Sequence, residues 1–275
     1  VTISRGSTSS GAYSWEISAP YVTLTTATST KYPAVAQSWM KITGGYYGVY
    51  ASGNYDQVSR SEVTANASYG IYASGTGDTI QNNLVRGNSS YGILVSGATP
   101  TVQNNTVYAT TADGVYISSG ASGVTFRNNI VWADGSGRNA VRAYSASLLS
   151  TSDYNDLYAT NGANVGYDYN YSVAYPSLVA WRTWTGKESH SLSRNPLFVD
   201  AAGGDFHLQS TAGSYHGGSW TADAGNSPGI DTGYGTVGSE PVANSTPLQG
   251  ANLGQRNMGA YGGTEQGSKT PAGRL

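Results

Sequence analysis

A few acidic residues in the repeating middle of the chain are the first candidates for catalysis. Asp113 and Asp134 are followed closely by Arg138 and Arg142. Two carboxylates several ångströms apart can cleave a glycosidic bond as acid and base, and an acidic cluster can hold calcium beside a basic residue in a lyase. Surface ion pairs around a loosened turn would use the same residue types. The pattern therefore leaves a catalytic group open and does not require one.

Tyrosine offers a different chemistry, because the chain has 22 tyrosines against 3 phenylalanines. Aromatic residues recur about one repeat apart in three sets: Tyr47, Tyr69 and Tyr91; Tyr50, Tyr72 and Tyr116 around Leu94; and Tyr108 with Trp132. Aromatic rings pack on the apolar C–H faces of sugars, while tyrosine hydroxyls, asparagine amides and Arg142 can reach sugar hydroxyls. Outward tyrosines also stack into ladders for stability alone. Both interpretations stay open, and two tyrosine columns beside one turn favour binding.

An internal repeat of 22 residues must position these side chains. Four glycines open its strand-like segments, and asparagine pairs recur between the segments: Gly48, Gly70, Gly92 and Gly114; Asn82–Asn83, Asn104–Asn105, Asn128–Asn129 and, less cleanly, Asn155–Asp156. Each apolar segment alternates with period two and is too short for a helix, which excludes an α-solenoid. Three short strands per repeat, joined by Gly/Ser/Asn turns, predict an all-β fold, a right-handed parallel β-helix. We expect the asparagine columns at its corners, bonded to one another and to turn backbone.

The same pattern predicts the organisation of the chain. Residues 1–262 read as one β-helix domain, with regular coils over about 40–160, an irregular C-terminal region and cap over 161–262, and a flexible linker or tail over 263–275. Strand patterns begin at Val1, Trp15, Val22 and Trp39, so we expect the chain to be a fragment of a longer protein.

For the C-terminal region, the sequence also predicts local structure and the roles of individual residues. Pro176–Trp184 predicts a short helix, and Lys187–Glu188 a solvated pair at its end. His190 and His207 are expected to pack rather than catalyse.

Composition narrows the class of partner. Only 11% of residues are charged and the net charge is −2, so no basic field exists to attract nucleic acid. There are no cysteines, which removes disulfides and thiolate sites, and no apolar run is long enough to span a membrane. A surface poor in charge suits a neutral glycan better than a uronate polymer.

Five segments in fixed order carry a family resemblance: Ser152–Tyr158, Gly186–Asp200, Gly204–Ser210, Ser227–Asp231 and Met258–Tyr261. Together with the coils, over roughly residues 40–262, they resemble secreted bacterial right-handed β-helix proteins of the pectate-lyase-like superfamily. The resemblance implies polysaccharide as the partner and does not specify an activity. The chain departs from the pattern at Asn195 and Asn257, where aspartates are expected, and this weakens the case for calcium there. In size and composition the chain is similar to β-helical xylan-binding modules attached to xylanases.

The sequence therefore predicts a secreted bacterial, non-catalytic carbohydrate-binding module that recognises a neutral plant polysaccharide, xylan in the first instance, and targets an attached glycoside hydrolase to it. No cofactor is expected, and structural calcium stays open. The predicted contact residues are Tyr47, Tyr50, Tyr69, Tyr72, Tyr91, Tyr108, Tyr116, Trp132 and Arg142. One alternative is a polysaccharide lyase or glycoside hydrolase using Asp113, Asp134, Arg138 and Arg142. A tailspike-like adhesin is a third, for which the sequence offers no trimerising segment.

Overall fold

The computed structural model describes residues 15–18, 40–236, 238–241 and 255–271. The strands expected at Val1 and Val22 lie outside these ranges. In chain order the elements are β1 (Trp15–Ser18), β2 (Met40–Thr43), β3 (Val49–Ala51), β4 (Gln57–Ser59), β5 (Ser61–Thr64), β6 (Ile71–Ala73), β7 (Thr79–Gln81), β8 (Leu84–Arg86), β9 (Tyr91–Val95), β10 (Thr101–Gln103), β11 (Thr106–Ala109), β12 (Asp113–Ile117), β13 (Val124–Arg127), β14 (Ile130–Asp134), β15 (Asn139–Ala143), a 3₁₀ turn (Ala146–Leu148), β16 (Leu149–Asp153), β17 (Asp156–Thr160), β18 (Asn164–Asp168), β19 (Val173–Tyr175), α1 (Leu178–Thr185), β20 (Phe198–Asp200), β21 (Asp205–Leu208), β22 (Ser214–His216) and β23 (Ser219–Thr221).

Three long sheets build the fold, and the chain visits them in turn on every coil. Sheet 1 has the order β1-β2-β5-β8-β11-β14-β17, sheet 2 the order β3-β6-β9-β12-β15-β18-β19, and sheet 3 the order β4-β7-β10-β13-β16. All neighbours are parallel except β19, which pairs antiparallel with β18. Val49 pairs with Ile71 and Ile71 with Ile93, which confirms the 22-residue period and the predicted parallel β-helix. Later coils are longer, since Val115 pairs with Val141.

The core is made of aliphatic columns that stack on themselves from coil to coil. Val49, Ile71, Ile93 and Val115 are fully buried on sheet 2, and Val63, Val85, Val107 and Val131 form the matching column on sheet 1. Alternate residues of a strand point to opposite faces, so one aliphatic side per strand suffices to fill the interior. Each fully buried side chain of this size contributes about 1.5–3 kcal/mol through removal of apolar surface from water.

An asparagine ladder runs inside the corner between sheets 3 and 1. Asn83 Nδ2 donates to Asn105 Oδ1 at 3.0 Å, Asn105 Nδ2 to Asn129 Oδ1 at 3.0 Å, and Asn129 Nδ2 to Asn155 Oδ1 at 3.1 Å. Asn155 thus aligns with the second asparagine of each earlier pair. Its own Nδ2 donates to Glu188 Oε2 at 3.0 Å, and Glu188 is only 1% exposed. The prediction of a solvated Lys187–Glu188 pair is therefore wrong for Glu188, because this carboxyl group terminates the buried ladder.

A short helix closes the C-terminal end of the core, as predicted. Ser177 caps α1 by accepting a hydrogen bond from the Ala180 amide, and Gly186 ends it with φ of 66°. Trp181 is fully buried against sheet 2, and a Cβ on Gly166 would lie 1.9 Å from its ring. Glycine at position 166 therefore allows the indole to cover the last coil.

The described residues 192–236, 238–241 and 255–271 fold back along the outer side of sheet 1, and we call them the C-terminal cover. A second apolar cluster lies between them, in which Leu84 and Ile130 of sheet 1 meet Phe198, Phe206 and Ile230. The first asparagine of each pair points outward and binds the backbone of the cover: Asn82 to Ala260 and Gly262, Asn104 to Asn257 and Gly259, Asn128 to Tyr234. The cover thereby packs on the outer face of sheet 1 from β8 to β14.

The cover extends further than the sequence indicated. Thr264 and Ser268 are buried, the Trp220 indole donates to the Gly267 carbonyl, and Arg60 pairs with Glu265 at 3.0 Å. The expectation of a flexible tail is therefore wrong for residues 263–271, because their polar groups are bonded to the body of the fold. Residues 272–275 lie outside the described ranges.

Candidate functional site

The outward side of sheet 2 carries a continuous strip of tyrosines. We define the tyrosine face by Tyr47, Tyr50, Tyr69, Tyr72, Tyr91, Tyr116 and Arg142. Strand register places Tyr50 beside Tyr72, Tyr72 beside Leu94, Leu94 beside Tyr116 and Tyr116 beside Arg142. The structure thus brings together seven of the nine predicted contact residues. Successive coils of a parallel sheet are about 4.8 Å apart, so the face presents one aromatic step per coil along the helix axis.

The rings of the tyrosine face stack on one another rather than lying flat on the surface. Tyr47 and Tyr69 have centroids 5.0 Å apart with planes 7° from parallel, and Tyr50 and Tyr72 are 4.8 Å apart at 15°. Between the two columns Tyr69 meets Tyr72 edge-on at 5.8 Å. Stacked rings hide their faces from solvent and present edges and hydroxyl groups. The ladder interpretation therefore describes how the rings are held, and a ligand would meet mainly their edges and hydroxyls.

An ion pair is set into the strip where the tyrosine ladder ends. Arg142 Nη2 lies 2.7 Å from Asp113 Oδ2, while Asp113 Oδ1 accepts from both the backbone and the side-chain amide of Asn139 at 2.9 Å. The guanidinium carbon is 4.7 Å from the Tyr167 ring centroid and 5.8 Å from that of Tyr91. Asp113 and Arg142 carry opposite charges, so the pair leaves this part of the face close to neutral.

Burial sets the protonation of the groups around this pair. It raises the pKa of Tyr116 to about 12, with a further contribution from the nearby Tyr169 and Tyr91 hydroxyls. It also raises the pKa of Asp113, against the opposing effect of Arg142 and Asn139. The Tyr116 hydroxyl is therefore a neutral donor and acceptor at physiological pH, suited to pairing with sugar hydroxyls.

Tyr108 and Trp132, the other two predicted contact residues, lie elsewhere. They are neighbours on the outer side of sheet 1, with ring centroids 4.7 Å apart. The C-terminal cover lies over them, since Tyr108 is 5.7 Å from Phe206 and Trp132 is 6.3 Å from Phe198. The structure thus assigns their rings to the second apolar cluster and separates them from the tyrosine face.

The predicted acidic group is not assembled as a carboxylate pair. Asp113 is engaged by Arg142 and Asn139 on sheet 2, whereas Asp134 ends a strand of sheet 1 and accepts from Thr160 at 2.7 Å and Asn161 at 2.6 Å. Within the described ranges, no group of three or more His, Cys, Asp or Glu side chains could hold a metal ion. Asn257, where an aspartate was expected, uses both ends of its amide: Oδ1 accepts from Asp231 and Nδ2 donates to Ser268.

Sequence reasoning missed several aromatic residues on or near the face, among them Tyr46, which is 49% exposed and lies 4.7 Å from Tyr47. Tyr55 lies in the turn from sheet 2 to sheet 3, with φ of 62° and 72% exposure. A Cβ on Gly77 would lie 2.5 Å from the Tyr55 ring, so the ring packs directly over a glycine of the next coil. The signal was available, because Tyr55 precedes Gly77 by one repeat of 22. At the other end of the strip Tyr169 is also exposed and contacts Tyr116 at 5.4 Å.

The two histidines singled out in the sequence pack against tyrosine rings, as expected. His190 stacks on Tyr154 at 4.7 Å, and His207 stacks on Tyr261 at 3.7 Å. No helix within the described residues is long and apolar enough to cross a membrane.

Comparison with known proteins gives one match. Residues 37–163 match the family model described as a right handed beta helix region. No curated protein and no solved structure matches the chain. The matched residues span the coils of sheets 1 to 3 from β2 to the end of β17, and this part of the chain is a right-handed parallel β-helix.

Proposed function

We propose that the protein is a non-catalytic carbohydrate-binding module whose tyrosine face binds a neutral plant polysaccharide, with xylan as the first candidate. The observation that carries the proposal is the strip of ring edges and hydroxyls along the helix axis, which Tyr91 continues past Leu94 and in which the charges of Arg142 and Asp113 neutralise each other. A β-1,4-linked chain laid along this axis would meet one tyrosine step per sugar, since the coil spacing is close to the length of one pyranose ring.

The stacked geometry supports recognition by edges rather than by flat stacking. Ring edges carry partial positive charge and hydroxyl groups both donate and accept, so sugar hydroxyls find partners along the strip. Tyr72 is anchored for this task, because its hydroxyl lies 3.2 Å from Ser96 Oγ. The ladder holds the rings in fixed orientations before binding, which lowers the entropy lost when a glycan is bound.

In this proposal the module is secreted by a bacterium and works by holding an attached glycoside hydrolase on its substrate. Binding alone raises the effective concentration of a linked catalytic domain at the polysaccharide. Asp113 and Asp134 are occupied by other partners on different sheets, which favours this function over the lyase or hydrolase alternative.

Affinity electrophoresis against xylan, β-glucan, mannan and pectin tests the proposal, together with assays for new reducing ends and unsaturated products. We expect retardation by xylan without products. The double variant Tyr69→Ala/Tyr72→Ala should lose retardation, whereas Tyr158→Ala, which removes a tyrosine of sheet 1 in contact with Trp132, should retain it. Products above background would refute the non-catalytic assignment. If xylan still retards the double variant, the tyrosine face is not the binding surface.

A further inference from the structure

Two pairs of tyrosines on the tyrosine face lie nearly parallel, one coil apart, and we call them the stacked pairs. Tyr50 of β3 and Tyr72 of β6 are register partners, with ring centroids 4.8 Å apart and planes 15° from parallel. Tyr47 and Tyr69, which precede the same two strands, are 5.0 Å apart at 7°. Both separations are close to the spacing of successive coils, so each ring is repeated almost unrotated on the next coil.

The stacking loosens beyond these two coils. Tyr69 and Tyr91 are 5.6 Å apart with planes at 26°, and the rings of Tyr91 and Tyr116 are tilted by 39°. In the other column, Leu94 follows Tyr72 and interrupts the series of rings. Within the tyrosine face, the near-parallel geometry is therefore confined to the stacked pairs.

This geometry brings together the carbons at which tyrosines couple after oxidation. Loss of one electron and the phenol proton leaves a tyrosyl radical, whose unpaired spin lies partly on the ring carbons beside the hydroxyl, Cε1 and Cε2. In an unrotated stack, these carbons lie over those of the next ring at one coil spacing, about 4.8 Å. All four rings are partly exposed, so an oxidant can reach them and each ring has room to tilt towards its partner.

The most exposed tyrosines on this part of the chain are oriented differently. Tyr55 is 72% exposed and its ring packs over Gly77, while Tyr46 is 49% exposed and meets Tyr47 with planes 58° apart. Exposure and parallel stacking therefore identify different tyrosines as the sites of coupling, and an experiment can separate the two.

We propose that the stacked pairs are an oxidative modification site, at which a haem peroxidase acting with hydrogen peroxide joins two tyrosine rings into dityrosine. One C–C bond forms between a Cε carbon of each ring, each ring loses one hydrogen atom, and both hydroxyl groups are kept. The peroxide accepts the two electrons and two protons and leaves as two molecules of water. Coupling is favoured within a pair because the partner ring is already in place, which is the advantage of an intramolecular reaction.

Such a link would fasten one coil of sheet 2 to the next. Tyr50 and Tyr72 are 22 residues apart, so the link closes a loop of the unfolded chain in the way that a disulfide does. The site uses side chains of the tyrosine face, but its chemistry does not depend on glycan binding.

Peptide mapping after oxidation tests the site. The full chain is treated at low concentration with peroxidase and hydrogen peroxide, unfolded, and cut with trypsin after lysine and arginine. Residues 42–60 and 61–86 are then separate peptides, and each carries one member of both stacked pairs. We expect the two peptides joined at their summed mass less two hydrogen atoms, with fragment ions that assign the link to Tyr50–Tyr72 or Tyr47–Tyr69. Mixing isotope-labelled and unlabelled protein shows whether the link lies within one chain.

Two double variants with matched changes separate stacking from exposure. Tyr47→Phe/Tyr50→Phe removes the hydroxyls of the stacked pairs from peptide 42–60, keeps the rings, and should lose the link. Tyr46→Phe/Tyr55→Phe removes the two more exposed hydroxyls of the same peptide and should keep it. A link that persists in the first variant or disappears in the second would overturn the proposal. Oxidation of tyrosines without a link between these peptides, or with links only between chains, would do the same. None of these readouts uses xylan, so the result is independent of the proposed function.

Discussion

Sheets 1 and 2 carry similar rows of outward aromatic residues, yet one row is covered and the other is open. On sheet 1, Tyr108 and Trp132 lie under the C-terminal cover beside Phe198 and Phe206. On sheet 2, the rings of the tyrosine face pack mainly on one another and on the exposed rings of Tyr46 and Tyr169. The difference lies in the residues two positions earlier on each strand.

Outward aliphatic side chains decide which face is covered. Ile130 and Leu84 point away from the core of sheet 1 and are 0% and 3% exposed. Each precedes a buried valine, Val131 or Val85, so the strand is apolar on both faces, which is typical of a sheet packed on two sides. On sheet 2 the positions two residues before Tyr50, Tyr72 and Tyr116 are the glycines of the repeat, which offer a covering segment no apolar side chain. A strand that adds an outward aliphatic side chain to its aromatic one, as Ile130 does beside Trp132, is therefore the strand that is covered.

The largest loss of unfolding free energy is expected when a buried side chain on the covered face of sheet 1 is truncated. Ile130→Ala removes a fully buried side chain between sheet 1 and the cover and should cost about 2–5 kcal/mol of unfolding free energy. Tyr72→Ala on the open face should cost clearly less, because its ring is only partly buried. Urea unfolding followed by circular dichroism measures both. Equal losses would mean that the two faces do not differ in packing.

The paired asparagines allow a closer comparison at one corner. Asn105→Ala breaks the inward ladder, removes the acceptor of the buried Asn83 backbone amide and removes the donor to the Ile80 carbonyl, at a cost of about 2–3 kcal/mol. Asn104→Ala removes the outward bonds to the Asn257 and Gly259 carbonyls and the longer bonds from Asn128 and Arg256, and it should cost less. It should instead speed hydrogen exchange in residues 255–263. A larger global loss for Asn104→Ala than for Asn105→Ala would contradict these roles.

The cover should also respond to pH through Glu240. Burial raises the pKa of this carboxyl group from 4.5 to about 7, although it accepts from the Gly263 and Asn257 amides. The folded state then holds its proton more tightly than the unfolded state between about pH 4.5 and 7. Stability is full below this window and falls as pH rises through it, by about 3 kcal/mol.

Unfolding free energies measured from pH 4 to 8 check the effect. Asp156, whose pKa is raised by burial to about 7, acts with the same sign. Glu240→Gln should therefore flatten part of the slope and leave the remainder. If the unfolding free energy of Glu240→Gln changes with pH as steeply as that of the unchanged protein, the Glu240 carboxyl group does not cause the pH dependence.

The smallest change in stability is expected at Tyr55. Tyr55→Asn keeps a residue that tolerates φ of 62° and removes only an exposed ring, so unfolding should shift by no more than about 0.5 kcal/mol. If the tyrosine face extends to this turn, xylan retardation should fall, though less than in Tyr69→Ala/Tyr72→Ala. Retardation equal to that of the unchanged protein would show that Tyr55 does not belong to the glycan-binding surface.

The coils could be predicted from sequence because their signals are local and repeated. The 22-residue spacing, the alternation within each strand and the asparagine corners each follow from one coil stacking on the next. The cover could not be predicted in the same way. Its contacts join residues far apart in the chain, such as Asn82 with Gly262 and Arg60 with Glu265, and no period links them.

The candidate site was predictable only in part for the same reason. The columns of Tyr47 and Tyr50 follow from the repeat, and so did the possibility of ring stacking. Whether the Trp132 ring is exposed or covered depends on Phe198, a residue of the non-repeating region. Glu188 was misjudged because it sits beside a lysine, whereas its carboxyl group takes the place of the next asparagine in the ladder.

The central claim is that the tyrosine face binds glycan and the covered face does not. Hydroxyl-radical footprinting with and without xylan oligosaccharides measures both faces at once, through side-chain oxidation resolved by mass spectrometry. We predict protection of Tyr50, Tyr69 and Tyr72 on adding ligand, with the oxidation of Tyr108 and Trp132 low and unchanged. Protection confined to Tyr108 and Trp132, or no protection of the tyrosine face at saturating ligand, would contradict the account.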